Sequence, residues 1–326
     1  MKKWNIIAVI IFAVLVVLGV EYYLQIGRRS RGIPFIRRDA IFSLGLYHGG
    51  AYDGSPLSPK EITHILSASD ITDRKAKFLA DPFMVQEDGV WYLFFEVLNQ
   101  NSLQGDIGVA TSNDLSHWTY QQIVLDEPFH LSYPQVFKWD GDYYMIPEST
   151  EDQEVRLYKA TDFPYLWEYQ TALLKGKYVD SSIVYYQNRW WLFASPDEWM
   201  AGKLDLYYAD QLEGPWQKHP MSPIVQGDER ISRSGGRIVS IDGHLLRFSQ
   251  DDYPYYGHQI RAIEIEEMTP TTYRETEYSP DPVVTGSGSG WNAGGMHQVD
   301  FHDLGADGWI ASVDGFYWKY VFDLTY

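Results

Sequence analysis

At 326 residues and with no cysteine, the chain can form one large domain or two smaller ones, but no disulfide framework and no thiolate zinc site. Residues 1–38 hold seven of the 26 Lys/Arg and one of the 44 Asp/Glu, so the net charge of −18 conceals a remainder carrying −24. A body that acidic excludes nucleic acid as a partner, while 25 Tyr and 12 Trp favour pleated sheet and also suit surfaces that meet sugars.

The chain opens with Lys2-Lys3 and then runs IIAVIIFAVLVVLGV from Ile6 to Val20. With Trp4 and Tyr22-Tyr23-Leu24 it reaches the ~20 residues that span a bilayer, and the rings suit the two interfaces. A cleaved signal peptide shares the opening, but bulky Glu21-Tyr22-Tyr23 offers no small-residue cleavage site. The expected organisation is a single transmembrane helix within residues 1–27, a basic juxtamembrane linker over 28–39, and the main domain over 40–326. Basic residues flank the span on both sides, which leaves the side of the main domain open.

After the linker, one pattern returns about every fifty residues. Asp88-Gly89, Asp140-Gly141, Gln187-Asn188, Asp242-Gly243 and Asp307-Gly308 each follow an alternating segment and precede a compact apolar one, such as Trp91-Tyr92-Leu93-Phe94-Phe95. That is the signature of a tight hairpin. After three of the hairpins comes a third strand (Asp106–Ser112, Val155–Thr161, Leu204–Asp210) and then a turn that ends on Trp118, Trp167 or Trp216. Four strands per repeat and five repeats predict an all-β, five-bladed β-propeller preceded by the transmembrane helix. The fifth repeat is short, so Ile41–Tyr47 is expected to lend a strand that closes the ring. Gly286–Gly290 reads as a spacer between blades.

First strands of propeller blades line the central channel, so residues just before them crowd its mouth. Eight residues before the turns stand Asp81, Tyr133, Asp180, Gly235 and Asp300; seven after them stand Glu96, Glu148, Ser195, Gln250 and Gly315. Carboxylates converging on one pocket are what glycoside chemistry requires, one ionised and one protonated. Asp81, Asp180 and Glu148 are therefore the candidate catalytic groups. Glu96 and Tyr133 are candidates for holding substrate.

Ala80-Asp81-Pro82-Phe83 with Trp91–Glu96 resembles the first blade of five-bladed propeller glycosidases, notably glycoside hydrolase families 43 and 32. Together with Tyr133–Phe137, Ile146–Ser149 and Val179–Ile183, it is more similar to the propeller domain at the N-terminus of plant glucosamine inositolphosphorylceramide transferases and its stand-alone bacterial relatives. The resemblance covers about residues 40–326. It implies a base at Asp81 and a pKa-modulating Asp at Asp180. Family 43 places its acid, a Glu, at the head of the fourth blade; here Ser232–Arg237 contains none, which leaves Glu148 as the candidate acid. Arg233 and Arg237 in that stretch would suit an anionic substrate group or would pair with neighbouring acids. Family 43 enzymes often keep a His on the axis near an ion, which implies an axial place for His297.

No cofactor is expected, since the chain has no glycine-rich phosphate loop, nucleophile elbow or zinc-protease motif. No metal is expected either: His297, Asp300, His302 and Asp303 match no ligand spacing, and the two His fall on opposite strand faces. The resulting expectation is a membrane-anchored glycosidase or glycosyl-transferring enzyme acting on a glycan or glycolipid. A non-catalytic propeller that binds a glycan or glycolipid is the competing expectation.

Overall fold

The computed structural model describes residues 36–50, 61–196 and 202–322, so the expected transmembrane stretch lies outside the described residues. Among those described, no helix is long and apolar enough to cross a membrane. Contacts divide them into a large unit, 42–317, and a small one of 36–41 with 318–322.

The large unit is built from five antiparallel sheets, in agreement with the repeat. Strand β1 (Ile36–Gly49) begins inside the stretch expected as linker, and β2 is Glu61–Leu66. Blade one is β3 (Ala76–Glu87), β4 (Val90–Asn99), β5 (Gly105–Ser112) and β6 (Thr119–Leu125). Blade two is β7 (Ser132–Trp139), β8 (Asp142–Glu148), β9 (Glu154–Asp162) and β10 (Leu166–Lys175). Blade three is β11 (Tyr178–Tyr186), β12 (Arg189–Pro196), β13 (Lys203–Ala209), β14 (Gln217–Lys218) and β15 (Val225–Gln226). Blade four has β16 (Arg233–Ser234), β17 (Val239–Ile241), β18 (His244–Asp251), β19 (Gln259–Met268), β20 (Tyr273–Glu277) and β21 (Val284–Thr285). The last sheet runs β2-β1-β23-β22, with β22 at Val299–Asp303 and β23 at Trp309–Phe322. The N-terminal segment thus closes the ring, and it supplies two strands where the sequence suggested one.

Four of the five hairpins are the two-residue turns expected. Asp88-Gly89, Asp140-Gly141, Gln187-Asn188 and Asp242-Gly243 have positive φ at both positions, between 49° and 88°. Two left-handed residues in succession match the twist of paired strands, which is why Asp, Asn and Gly stand there. The fifth connection is longer: a 3-10 turn, Gly305–Asp307, intervenes before Gly308. The recurring Trp has a mechanical role. The indole N–H of Trp118, Trp167 and Trp216 donates to the carbonyl of Leu115, Pro164 and Leu212 respectively, at 2.9–3.2 Å, and so pins the turn before each fourth strand. Between blades the hydrophobic faces interlock, with Phe94, Val109, Met145 and Tyr158 in one buried cluster and Ile146, Trp190 and Leu192 in the next.

Candidate active site

The first strands of blades one to three break register at one equivalent place, between Ala80 and Phe83, Ser132 and Gln135, and Val179 and Ser182. Within these bulges Asp81, Tyr133 and Asp180 have φ of 53°, 47° and 43°. A left-handed Tyr or Asp in a strand is uncommon, and a bulge re-aims its side chain. These are the three non-glycine residues reached by stepping back eight from the first three turns. Opposite the residue just before each bulge stand Glu96, Glu148 and Ser195. In blade four Arg233 takes that place, opposite Gln250, and the register breaks later and by two residues, between Ser234 and Val239.

The side chains at these positions meet. Arg233 Nε donates to Asp180 Oδ2 at 2.5 Å, and Gln250 Nε2 donates to the same oxygen at 2.6 Å. The Asp180 N–H donates to Glu148 Oε2 at 3.3 Å, and that oxygen lies 4.0 Å from Arg233. Asp81 Oδ2 accepts from the Tyr133 N–H at 3.3 Å, and the Asp81 N–H donates to Asp314 Oδ2 at 3.0 Å. His297 sits between two acids, with Nδ1 2.7 Å from Asp314 Oδ2, outside hydrogen-bond angles, and Nε2 3.8 Å from Asp81 Oδ1. Phe42 stacks on its ring at 4.6 Å.

Burial and mutual repulsion separate the acids. Burial, with Asp180 beside it, holds the Glu148 carboxyl well above the usual range. Burial also raises Glu96, with Asp81 and Glu148 adding repulsion. Asp81 is pushed up to about 7 by burial, although His297 pulls against the rise. For Asp180 burial acts in the same direction, but Arg233 and the bond with Glu148 outweigh it and hold the carboxyl below its ordinary value. His297 is lifted to about 9, since Asp314 and Asp81 overcome its burial. A protonated Glu148 against an ionised Asp180 is the arrangement that assigns acid and base roles to paired carboxyls.

A cavity of about 540 Å³ opens above this group, with Glu148, Arg233, Asp252, Tyr255, Tyr256 and His130 among its walls. Tyr256 places its ring 5.2 Å from the Arg233 guanidinium and packs edge-on to His297. His130 is fixed by the Gly105 N–H, which donates to Nδ1 at 2.9 Å, so Nε2 faces Glu96 Oε1 at 3.5 Å.

The expected residues divide accordingly. Glu148 and Arg233 line the cavity, whereas Asp81, Asp180, Glu96, Tyr133 and His297 are buried and absent from its walls. The Tyr133 hydroxyl is occupied by Ser182 and by the backbone of Gly236. Of the two readings of Arg237, the structure shows the pairing with an acid: it meets Asp300 at 2.7 Å and donates to the Met84 carbonyl, and it is not among the cavity walls. Arg233 is likewise paired with Asp180, so neither arginine gives special support to an anionic substrate group. Asp300 and His302 bond each other, and among the described residues the group able to hold a cation is instead Asp81, His297 and Asp314, with ligand atoms within 4.8 Å of one another. The buried Gln298 amide nearby has both polar atoms unpartnered. A cation there would have to displace the ionic contacts of His297.

Asp314, Asp252, His130 and the Tyr255-Tyr256 pair were not anticipated. Asp314 could have been found, because it follows a compact apolar run as Glu96 does, one residue short of the counted position. Tyr255-Tyr256 stand in an aromatic run, Asp252–Gly257, that no turn flags.

One pH effect follows from the raised acids. Between about pH 4 and 7 the folded chain holds protons on Glu96, Glu148 and Asp81 that the unfolded chain releases. The stability these groups permit is complete below their unfolded pKa values and falls as pH rises through about 7, the folded value of Asp81. Asp300, held at about 2 by Arg237 and His302 against its burial, acts in the opposite sense only as pH falls below 4. The urea midpoint is therefore expected to drop from pH 5 to pH 8, and Glu96→Gln should reduce the drop. An equal drop in that variant would remove Glu96 from the account.

Residues 55–316 match the family described as the N-terminal part of glucosamine inositolphosphorylceramide transferase 1. Proteins named glucosamine inositolphosphorylceramide transferase 1 from Oryza sativa subsp. japonica and from Arabidopsis thaliana are each 38 % identical over 248 residues, 74 % of this chain. The chain spans about a third of their length, 33 % and 32 %. Among solved structures, the catalytic domain of the Coprinopsis cinerea family 62 α-L-arabinofuranosidase is similar with a TM-score of 0.56, at 13 % identity, over 83 % of this chain and 97 % of that one. A thermostable family-43 glycoside hydrolase reaches 0.54 at 13 % identity, over 70 % and 85 %. At such identities these likenesses establish the fold alone.

Proposed function

The chain belongs to the family of the glucosamine inositolphosphorylceramide transferase 1 N-terminal domain, and on that premise we propose that its cavity is a glycosyl-handling site for a glycan or a glycolipid headgroup. One observation carries this reading: Glu148, a carboxyl held protonated by burial and by ionised Asp180, faces a cavity large enough for sugar rings.

In the reaction, Glu148 gives its proton to the leaving oxygen as the glycosidic C–O bond breaks. Asp180 does not meet the sugar; its charge, fixed by Arg233 and Gln250, positions and tunes Glu148. Asp81, with a pKa near 7, takes the proton of the water or acceptor hydroxyl whose oxygen forms the new bond. Tyr255 and Tyr256 offer ring faces of the kind on which sugars stack. As part of the same proposal, the apolar stretch 6–20 anchors the protein in a membrane.

A binding-only reading is favoured by one observation: Asp81 is not among the cavity walls. A screen for sugar released from glycans and glycolipids separates the two readings. Catalysis predicts release by the natural protein and a fall of about 10²–10⁴-fold in Asp81→Asn. Saturable glycan binding without release supports the binding reading. Release that is unchanged in Asp81→Asn removes Asp81 from the mechanism.

A further inference from the structure

His130 stands in the cavity wall two residues before β7, and the backbone of blade one fixes its ring. Gly105, the first residue of β5, binds this segment twice. Its N–H donates to His130 Nδ1 at 2.9 Å, and its carbonyl accepts from the Leu131 N–H at 2.9 Å. A Cβ at 105 would strike the Leu131 carbonyl oxygen and lie 2.9 Å from His130 Cε1, so glycine is needed for the approach. The His130 N–H in turn donates to Glu151 Oε2 at 2.9 Å. An Nδ1 that accepts cannot also carry the proton, so in the neutral ring the proton is on Nε2. Burial holds the imidazole below its ordinary pKa, although Glu151 and Asp180 pull the other way, and the ring is uncharged at neutral pH.

The Nε2–H has work left to do. Glu96 Oε1 lies 3.5 Å from Nε2, outside the about 2.7–3.2 Å of an N–H···O bond, and among the described residues no other acceptor reaches it. Other donors of the wall are engaged. The Ser195 and Thr150 hydroxyls donate to the carbonyls of Ser232 and Tyr178, the Tyr255 hydroxyl to that of Gly294, and Arg233 Nε to Asp180. Acceptors, by contrast, are plentiful, with Glu148, Glu151, Glu229 and Asp252 in the same wall. A sugar hydroxyl both donates and accepts; among carboxyls it finds acceptors readily and lacks a donor for its own oxygen. We propose that His130 orients the bound sugar by donating Nε2–H to one of its oxygens, and so selects for an oxygen at that position. The inference rests on the glycosyl-handling reading of the cavity.

Binding of methyl glycosides of glucose, galactose, mannose and arabinose, and of their monodeoxy derivatives, to the full-length protein tests this. Loss of the hydroxyl that meets His130 should weaken binding to the natural protein about 2–10-fold, the worth of one hydrogen bond. His130→Asn keeps an acceptor for the Gly105 N–H and removes the Nε2 donor. It should bind the parent glycoside about 2–10-fold more weakly and no longer distinguish it from that deoxy derivative. His130→Gln, whose amide nitrogen can stand near the place of Nε2, should recover part of the distinction. Nitrogen-15 spectra of the histidines at about pH 7.5 supply a readout independent of sugar: one neutral Nε2–H ring should be present in the natural protein and missing from His130→Asn. A His130 ring protonated on Nδ1 overturns the inference. So does a His130→Asn protein that still discriminates between parent and deoxy glycosides as the natural one does, and that result leaves the glycosyl site standing. If the natural protein binds none of the glycosides, the site reading falls and the inference with it.

Discussion

Asp300→Ala is expected to destabilise the propeller by about 3–5 kcal/mol, the range for breaking a buried ion pair by removing one partner. Asp300 is fully buried in β22. Its Oδ1 accepts from Arg237 Nε at 2.7 Å, while Oδ2 accepts from the Met84 N–H at 2.6 Å and faces His302 Nε2 at 2.9 Å. Arg237 returns to the same strand by donating to the Met84 carbonyl at 3.1 Å. One carboxylate thus links the last sheet, blade one and blade four. Alanine would leave a mostly buried guanidinium and a backbone N–H without their acceptor. Asp300→Asn keeps an acceptor and loses only the charge, so it should cost less. Asp300→Ala combined with Arg237→Met should cost less than the two single changes together, because the stranded cation is gone. Urea unfolding of the four proteins measures this; strict additivity would show that the pair is not coupled.

Asp300 also shows where counting along the sequence stops working. In the linear pattern it is equivalent to Asp81, eight residues before a turn. In space Asp81 sits in a bulge with left-handed backbone, whereas Asp300 pairs regularly with Ser312 and its side chain is absorbed by Arg237. The count assumes that each hairpin has a two-residue turn and each first strand a bulge. Blades one to three satisfy both conditions, and there Asp81, Tyr133 and Asp180 were reached from sequence. In blade four the register breaks later and by two residues, between Ser234 and Val239, so Arg233 rather than Gly235 faces the end of the hairpin. Blade five has a longer connection, so Asp314 was missed by one residue. The turns and the Trp spacing were legible because they are local, fixed by φ and by one indole hydrogen bond. Which acid each arginine would meet was not, because Arg233 and Arg237 differ by four residues in an otherwise uniform stretch and find partners 53 and 63 positions away.

Glu148→Gln is expected to lower sugar release by about 10²–10⁴-fold while leaving glycan binding near its natural strength, as loss of a general acid does. Glutamine has nearly the same shape, and its carbonyl can still accept the Asp180 N–H that Glu148 accepts at 3.3 Å. Only the transferable proton is lost. That separates a chemical role from a packing one, since a packing defect would weaken binding and unfold the chain more easily. Asp180→Asn tests the other half of the pair. Burial still lifts Glu148 in that variant, but the repulsion from Asp180 is removed, so its pKa falls. Asp81 loses the same repulsion at longer range and falls less. Release plotted against pH should therefore move to lower pH on both limbs, with the alkaline limb, governed by Glu148, moving further. The acidic limb follows Asp81, which must be ionised to act as base and titrates at about 7 in the natural protein. An Asp180→Asn profile with its alkaline limb unmoved would show that some other group donates the proton. Unchanged release in Glu148→Gln would show the same by a shorter route, and would leave the cavity as a place where sugars bind and no bond breaks.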